Sequence, residues 1–390
     1  MTREIYLDNA ATTKPYTEVA EVVAHTMLHA YGNPSSLHKK GMEAETILRE
    51  ATEFFARQIG ALPEEIFFTS GGTESNNTAI IGASMAYKRM GNKIITSTIE
   101  HPSVKEVFKY LGEQGFEIVT VGVDQSGLVD MEALKSAIDE HTILVSIMHV
   151  NNEIGTIQPI EEIGKLIKSI NKETLFHVDA VQSFARLPIQ VKRAKIDFLS
   201  CSGHKFYGPR GVGLLYKGKS VRMQNLFWGG GQQKNVRSGT ENVPAIAGML
   251  KAGQEVFKNQ KNIMSHMQEC KAYLAERILC EIPDTWVNGP NIEEGVPYIL
   301  NIGFKDVRSE VLLHALEQEG IYVSSGSACS SHKKEKDGVL VAIGNKKDQL
   351  DHAIRFSFAH DTQLEELMQV VEILKNQVTL LRRYTPGGRK

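Results

Sequence analysis

The sequence is organised around the stretch Cys201-Ser202-Gly203-His204-Lys205-Phe206-Tyr207-Gly208-Pro209-Arg210-Gly211-Val212-Gly213. Apolar runs on either side, Ile196–Ser200 and Gly213–Tyr216, predict two buried strands. A lysine between two strands, with small residues before it and helix-breaking residues after it, is fixed in place and partly removed from water. Both conditions favour an amine that acts as a nucleophile. We therefore predict this role for Lys205; the alternative is a solvated lysine in an ordinary turn.

An acidic residue ends the apolar strand that precedes this stretch, Phe176-His177-Val178-Asp179-Ala180-Val181-Gln182. A carboxylate at the mouth of a parallel strand is where α/β proteins place chemistry directed at a cofactor. Enzymes that use pyridoxal phosphate need a Schiff-base lysine and an acid partner for the pyridine nitrogen, and Lys205 and Asp179 fit these roles. Taken by itself, Asp179 is more simply explained as the cap of a helix that follows the strand.

Composition excludes several classes of protein. The chain has 390 residues, of which 42% are hydrophobic, and this is enough for a large core and two domains. A net charge of −2 without a long basic run argues against nucleic acid as a direct partner. Four cysteines without C-x-x-C or zinc spacing fit a reducing cytoplasm. The charged N-terminus lacks a signal core and no segment has the length of a membrane span, so we expect a cytoplasmic protein without membrane contact.

Apolar runs alternate with helical patterns through the first two thirds of the chain, which predicts an α/β fold with a mainly parallel sheet covered by helices. The predicted strands are Ile66–Thr69, Lys93–Thr98, Glu117–Val121, Ile143–Met148, Leu175–Val178 and Asp197–Ser200.

The pattern changes near residue 255, where a long helix is predicted over Val256–Cys280. We therefore predict a large domain of residues 15–255 and a smaller α+β domain made of residues 1–14 and 256–383. An apolar stripe predicts the last helix, with Thr362 and Glu365 as its capping box. Residues 384–390 are predicted to be a disordered tail.

A phosphate site is one of two interpretations of Thr69-Ser70-Gly71-Gly72-Thr73-Glu74-Ser75-Asn76, which follows a strand and opens a helix. Small residues at a helix N-terminus expose backbone N–H groups, and the helix dipole attracts an anion. A plain helix cap explains the motif equally well. The stretch is neither a nucleoside-triphosphate loop nor a G-x-G-x-x-G fingerprint, and this disfavours ATP and a nicotinamide cofactor.

Three further candidates follow or lie in predicted strands. His101 suits stacking on an aromatic cofactor and moving protons, although a lone histidine is more often simply hydrogen-bonded. Asn152 belongs to Asn151-Asn152-Glu153-Ile154-Gly155, which is either a turn or a site for a substrate carboxylate or ring oxygen. Arg355 is a lone cation in an apolar strand, so it needs a substrate carboxylate or an internal salt bridge.

Glycine is dense in Gly229–Gln233 and in Arg237-Ser238-Gly239-Thr240-Glu241-Asn242, which indicates close approach to a ligand or a partner subunit, or a flexible loop. The stretch Ser324–Ser331 surrounds Cys329 with small polar residues rather than apolar ones. We predict a mobile, exposed loop of about residues 325–337 whose thiol attacks a bound intermediate. A metal site at Cys329 would lack its remaining ligands, so no metal is expected.

Together these motifs resemble the cysteine desulfurases of the NifS/IscS-like branch, which belong to the class-V aminotransferases of pyridoxal-phosphate fold-type I. The resemblance extends over nearly the whole chain. Its most specific pieces are Ser202-Gly203-His204-Lys205, His177-Val178-Asp179-Ala180-Val181-Gln182, Arg237-Ser238-Gly239-Thr240-Glu241-Asn242 and Ser325-Gly326-Ser327-Ala328-Cys329.

The resemblance implies a seven-stranded sheet, pyridoxal phosphate as cofactor, and a homodimer with the active site at the subunit interface. Lys205 would hold the cofactor and remove the α-proton of L-cysteine, and the Cys329 thiolate would take the substrate sulfur, leaving alanine and a persulfide. Arg355 would bind the substrate carboxylate. The other implied contacts are Asp179 to the pyridine nitrogen, His101 to the ring, Gln182 and Asn152 near the phenolic oxygen and substrate, and Gly72, Thr73, Ser202, His204 and the partner's Thr240 to the phosphate.

The sulfur acceptor implied by the resemblance is a protein that serves iron–sulfur cluster assembly or tRNA thiolation. The basic run after Cys329 and the short segment after the last helix depart from housekeeping relatives, which puts delivery to an iron–sulfur scaffold in doubt. The alternatives are a selenocysteine lyase, an aminotransferase, which needs no loop thiol, and a non-catalytic sulfur carrier. A sulfur carrier would have no reason to retain Lys205, Asp179, His101 and Cys329.

Overall fold

The computed structural model describes residues 4–325 and 338–384. The strands in this part of the chain are β1 (Ile5–Tyr6), β2 (Ile66–Thr69), β3 (Lys93–Ser97), β4 (Glu117–Val121), β5 (Thr142–Met148), β6 (Leu175–Asp179), β7 (Phe198–Ser202), β8 (Gly213–Lys217), β9 (Thr285–Val287), β10 (Ile299–Phe304), β11 (Ile321–Tyr322), β12 (Ser324–Ser325) and β13 (Ala353–Ser357). The helices are α1 (Thr17–His29), α2 (Lys39–Ile59), α3 (Gly72–Tyr87), α4 (Pro102–Glu113), α5 (Met131–Ala137), α6 (Ile160–Ile170), α7 (Val243–Glu281), α8 (Ser309–Gln318), α9 (Val339–Ala342) and α10 (Leu364–Arg382).

A seven-stranded sheet forms the larger part of the fold, with strand order β2-β8-β7-β6-β5-β3-β4. Strand β8 is antiparallel to both of its neighbours, and the other neighbouring strands pair in parallel. The predicted α/β architecture with a mainly parallel sheet is confirmed. Each predicted strand is present, with ends that differ by no more than a few residues.

Apolar residues on both faces of this sheet explain why helices cover both sides. Neighbouring strand residues point to opposite faces, so Ile94 packs with residues of α3 and α4, whereas Ile95 packs with residues of α2 and α6. Apart from the edge strand β4, the strands of this sheet are buried almost throughout, as expected for a sheet covered on both faces. Function is therefore confined to the ends of the strands.

Smaller sheets lie beside the large one. Strands β12-β13-β10-β9 form an antiparallel sheet, and β1 pairs in parallel with β11. The N-terminal segment continues from β1 past β13, where Asp8 bridges to Ser357 and Asn9 Nδ2 donates to the Ser357 carbonyl at 2.9 Å. These contacts bring the segment to the carboxyl edge of the large sheet, because Ala10 O accepts from Gln182 Nε2 at 2.9 Å.

Two helix starts differ from the prediction. Helix α7 begins at Val243, not at Val256, because Asn242 Oδ1 caps it by accepting from Ala245 N. The capping box of α10 consists of Gln363 and Glu366, so the predicted pair Thr362 and Glu365 is wrong. Thr362 Oγ1 instead accepts from Ala359 N. The predicted domain division stays a prediction, and residue 255 lies inside α7.

No helix within residues 4–325 and 338–384 is both long enough and apolar enough to cross a membrane. The predicted cysteine loop and tail fall, apart from residues 325 and 384, outside the described residues.

Candidate active site

A cavity of about 410 Å³ opens where β5, β6 and β7 end and where the N-terminal segment and β13 meet them. Its wall contains every predicted site residue except Thr240 and Cys329. These lining residues are Gly72, Thr73, His101, Asn152, Asp179, Gln182, Ser202, His204, Lys205 and Arg355. Parallel strands bring their carboxyl ends to one edge of a sheet, and this is why residues so far apart in sequence converge.

Lys205 ends a short 3-10 turn, Gly203–Lys205, directly after β7. Its Nζ donates to the carbonyl oxygens of Ala10 at 2.7 Å and Ala11 at 2.9 Å. Burial lowers the pKa of Lys205 to about 8, and the positive charges of Arg355 and Arg186 also lower it. A much larger fraction of neutral amine is therefore present near neutral pH than for an ordinary lysine.

Asp179 is the last residue of β6 and is buried. Its Oδ2 accepts from Asn76 Nδ2 at 2.7 Å, and its Oδ1 accepts from Val181 N at 2.9 Å. These two hydrogen bonds fix the position of the carboxyl group. No helix follows β6 directly, so Asp179 caps a turn while its carboxylate lines the cavity.

His101 precedes α4 and caps it, because its Nδ1 accepts from Ser103 N at 3.1 Å. Ser103 Oγ lies 2.8 Å from the same Nδ1. Burial lowers the pKa of His101. The negative charge of Asp179 raises that pKa, but the effect of burial is larger. The imidazole is therefore neutral near pH 7.

The start of α3 forms a recess beside Ser202. A Cβ added at Gly72 would lie 2.5 Å from Val181 Cγ2 and 3.7 Å from Ser202 Cβ, so a side chain there would displace Val181. The first N–H groups of a helix have no acceptor within it, and together with Thr73 they suit a phosphate group.

Gln182 reaches the N-terminal segment through Nε2, which donates to Ala10 O. Its buried Oε1 has no hydrogen-bond partner within the part of the chain that the structure describes. Buried polar atoms are normally paired, so this oxygen indicates a missing ligand group.

Arg355 lies in the middle of β13. Its Nη2 donates to Asp8 Oδ1 at 2.7 Å and its Nη1 donates to the Asn152 carbonyl at 2.8 Å. The internal salt bridge is thus present, and Arg355 Nε has no partner among the described residues. Asn152 belongs to a turn in which Asn151 Oδ1 accepts from Glu153 N at 2.9 Å.

The remaining predicted site residues lie elsewhere. Thr240 is exposed and does not line the cavity of its own chain. Cys329 lies outside the described residues, although Ser324, which lines the cavity, pairs with Arg355 shortly before that segment. Of the other cysteines, Cys201 and Cys270 are buried, and Cys280 is exposed at the end of α7.

Several residues at or near the cavity were not predicted. Asp8 and Ser103 line it, Asn76 holds Asp179, and buried Arg186 donates from Nη2 to the Lys205 carbonyl at 2.6 Å. Asn76 and Ser103 stand inside the motifs singled out in the sequence, but nothing in a sequence indicates that they touch. No sequence motif predicted a role in the site for Asp8 or Arg186.

Residues 5–370 match the family described as Aminotransferase class-V. The chain belongs to this family. It is 43% identical to a protein named Cysteine desulfurase IscS from Dictyoglomus turgidum, over 99% of this chain and 97% of that protein. It also resembles the solved structure of a NifS-like protein, with a TM-score of 0.91, 36% identity and coverage of 97% of this chain and 100% of the other. A structure described as SspA in complex with cysteine has a TM-score of 0.81 at 32% identity, covering 91% of this chain and 99% of the other.

The predicted cysteine desulfurase relationship is confirmed, and so is the cofactor, because proteins of this class depend on pyridoxal phosphate. The cavity fits that group. It offers a lysine with a lowered pKa, a carboxyl group held by hydrogen-bond donors, a helix start at Gly72 where any side chain would displace Val181, and the unpaired Gln182 Oε1.

Proposed function

We propose that this chain is a cysteine desulfurase that converts L-cysteine to L-alanine and transfers the sulfur to Cys329. The observation that carries the proposal is the single cavity shared by Lys205, Asp179, His101 and Arg355. The first three suit pyridoxal phosphate, and the fourth suits the carboxylate of an amino acid. Relatives named as cysteine desulfurases, and a similar structure described as containing cysteine, support this substrate.

Each residue has a distinct task. Asp179 would pair with the pyridine nitrogen, His101 would lie on the ring, and the α3 start with Ser202 and His204 would hold the phosphate. Pyridoxal phosphate supplies an electron sink for carbanions at the amino acid carbon.

Arg355 would orient the substrate by binding its carboxylate at the cavity wall, with Asn152 beside it. The neutral amine of Lys205 would then remove the α-proton, and its lowered pKa matches a base that works near neutral pH. His101, neutral because it is buried, would carry a proton at Nε2.

Sulfur transfer would fall to Cys329. Its thiolate attacks the substrate sulfur, a sulfur–sulfur bond forms, and the carbon–sulfur bond breaks with its electron pair going to the carbon side. Protonation of that carbon yields alanine, so the step needs no external oxidant or reductant.

The test is to incubate the protein with L-cysteine and measure alanine and reducible sulfur together. We expect equal amounts of the two. Cys329→Ala should keep the cofactor's visible absorption yet form no protein persulfide, while Cys280→Ala, which removes the exposed thiol of α7, should behave as wild type. Persulfide and sustained turnover in Cys329→Ala would overturn the assignment of the nucleophile.

We further propose a homodimer whose partner subunit contributes Thr240 to the phosphate site. Large apolar side chains are exposed between α1 and α2 and near the glycine-rich stretch, among them Leu37 at 97% and Trp228 at 79%. Such exposure is typical of an interface. Light scattering should give twice the mass of the 43.3 kDa chain, whereas a fully active single chain would contradict the dimer.

The acceptor is proposed to be a sulfur-acceptor protein of iron–sulfur assembly or tRNA thiolation, in the cytoplasm, where thiols stay reduced.

We also propose the division into a large domain (residues 15–255) and a small domain (residues 1–14 and 256–383).

A further inference from the structure

Asn76 is a fully buried residue of α3 whose amide bridges two of the groups around the cavity. Its Nδ2 lies 2.7 Å from Asp179 Oδ2 and 2.9 Å from Ser103 Oγ. Ser103 Oγ in turn lies 2.8 Å from His101 Nδ1. A continuous hydrogen-bonded chain therefore links Asp179 with His101 through Asn76 and Ser103.

The hydrogens of this chain have one consistent arrangement. An amide nitrogen is a donor only, so Asn76 donates one hydrogen to Asp179 and the other to Ser103. The hydroxyl of Ser103 then has its own hydrogen left for His101 Nδ1. The Ser103 backbone N–H also donates to that nitrogen, at 3.1 Å, so Nδ1 carries no hydrogen of its own. The neutral ring must hold its proton at Nε2.

The geometry is held at some cost. Asn76 Oδ1 is buried and has no partner among residues 4–325 and 338–384, and an unpaired buried oxygen is unfavourable. Rotating the amide of Asn76 by half a turn would not be favourable, because it would place Oδ1 against the Asp179 carboxylate oxygen. The neighbouring Asn77 also holds Ser103 in place, because its Nδ2 donates to the Ser103 carbonyl oxygen at 3.2 Å.

We propose that Asn76 is a positioning residue that acts on both cofactor-facing groups at once: it fixes the position of the Asp179 carboxyl group and, by donating to the Ser103 hydroxyl oxygen, directs the hydroxyl hydrogen of Ser103 to His101 Nδ1. The inference deepens the proposed function and rests on it for its catalytic meaning. A carboxylate is the form that keeps a pyridine nitrogen protonated. The Nε2–H tautomer leaves a donor on the ring nitrogen that Ser103 does not use.

The test uses the full chain as purified, with ¹⁵N-labelled histidine. A protonated and a bare ring nitrogen give well-separated ¹⁵N signals, and the His101 pair is identified by its loss in His101→Gln. In wild type we expect one bare and one protonated nitrogen. In Ser103→Ala the backbone N–H of residue 103 still donates to Nδ1 and keeps the tautomer, but the bare-nitrogen signal should move away from the protonated one, because that nitrogen loses the hydroxyl donor. Ser103→Thr, which retains the hydroxyl, should restore the wild-type pattern.

Asn76→Ala should move the bare-nitrogen signal in the same direction as Ser103→Ala does and should also weaken retention of pyridoxal phosphate during dialysis, which Ser103→Ala should leave unchanged. Thr78→Val, another buried polar change on α3, is the matched control and should alter neither. Turnover should fall roughly fivefold to tenfold in Ser103→Ala, the loss expected for one hydrogen bond of ordinary strength.

The two proposals fail separately. A wild-type His101 pattern in Ser103→Ala overturns the Asn76–Ser103 inference even in a fully active desulfurase. If Asn76→Ala does not fold, the Ser103→Ala and Ser103→Thr pair still decides the matter. If the protein makes no alanine from cysteine but the bare-nitrogen signal of His101 moves in the variants as expected, the proposed function fails and the hydrogen-bond assignment stands.

Discussion

The cavity brings together two sets of residues. The strand-end group lies where strands of the large sheet end and consists of Asp179, Lys205 and His101. The Arg355 pair consists of Arg355 from β13 and Asp8 from the N-terminal segment. The strand-end group is held by neutral partners: an amide, a hydroxyl and backbone groups. The Arg355 pair is held by a salt bridge between residues 347 positions apart. The same cavity thus contains Lys205 and His101, whose pKa values are lowered by burial, and a cation already paired with a carboxylate.

The two sets of residues meet different requirements, one for acting on a cofactor and the other for binding substrate. Residues that act on a cofactor need fixed protonation states, which neutral hydrogen bonds in a buried setting provide. A residue that binds and releases substrate needs a charge that does not remain isolated when the substrate leaves, because a lone buried cation is costly. Asp8 serves that purpose for Arg355.

The largest effect is expected from removing the amine of the strand-end group. Lys205→Ala should abolish covalent cofactor attachment and lower turnover at least about a thousandfold, the range for losing a general base. The visible spectrum and alanine formation measure this. An unchanged spectrum would show that another group holds the cofactor.

Arg355→Gln should act on substrate binding instead. We expect the KM for L-cysteine to rise roughly 10- to 100-fold, the loss expected for charge-assisted hydrogen bonds to a carboxylate, while the visible band remains. The exposed Arg308, which lies 3.9 Å from Glu310, provides the control Arg308→Gln. Equal KM values for the two variants would remove Arg355 from the substrate site.

The pH dependence of cofactor capture tests the burial of Lys205. With a lysine pKa of about 8, the amine is charged below pH 8 and neutral above it. The rate of capture by cofactor-free protein should therefore rise about tenfold per pH unit below that value and level off above it. A rate that still climbs beyond pH 10 would indicate an ordinary exposed lysine.

Asp8→Asn should give the smallest effect and link the two groups. The negative charge of Asp8 raises the pKa of Lys205 and opposes the lowering by burial and by Arg355. Removing this charge should move the midpoint of cofactor capture to lower pH, whereas Arg355→Gln should move it to higher pH. Shifts in the same direction for both variants would contradict this electrostatic coupling.

The strand-end group was predictable because each member follows an apolar run, and parallel strands bring such ends together. The start of α10 was less predictable. Thr362 and Glu365 fit a capping pattern, but the Thr362 hydroxyl accepts from Ala359 N, and the capping box lies one residue later. The Asp8 contact with Arg355 and the Asn76 contacts depend on long-range packing. No local pattern encodes such pairs.

The most direct test of the central claim is to reduce the purified protein with borohydride, which fixes a lysine-bound pyridoxal group, and to locate the label by peptide mass spectrometry. We predict the label on Lys205, with prior addition of L-cysteine lowering its yield. A label on any other lysine, or none after pyridoxal phosphate has been supplied, would contradict the assignment of the cavity as the active site.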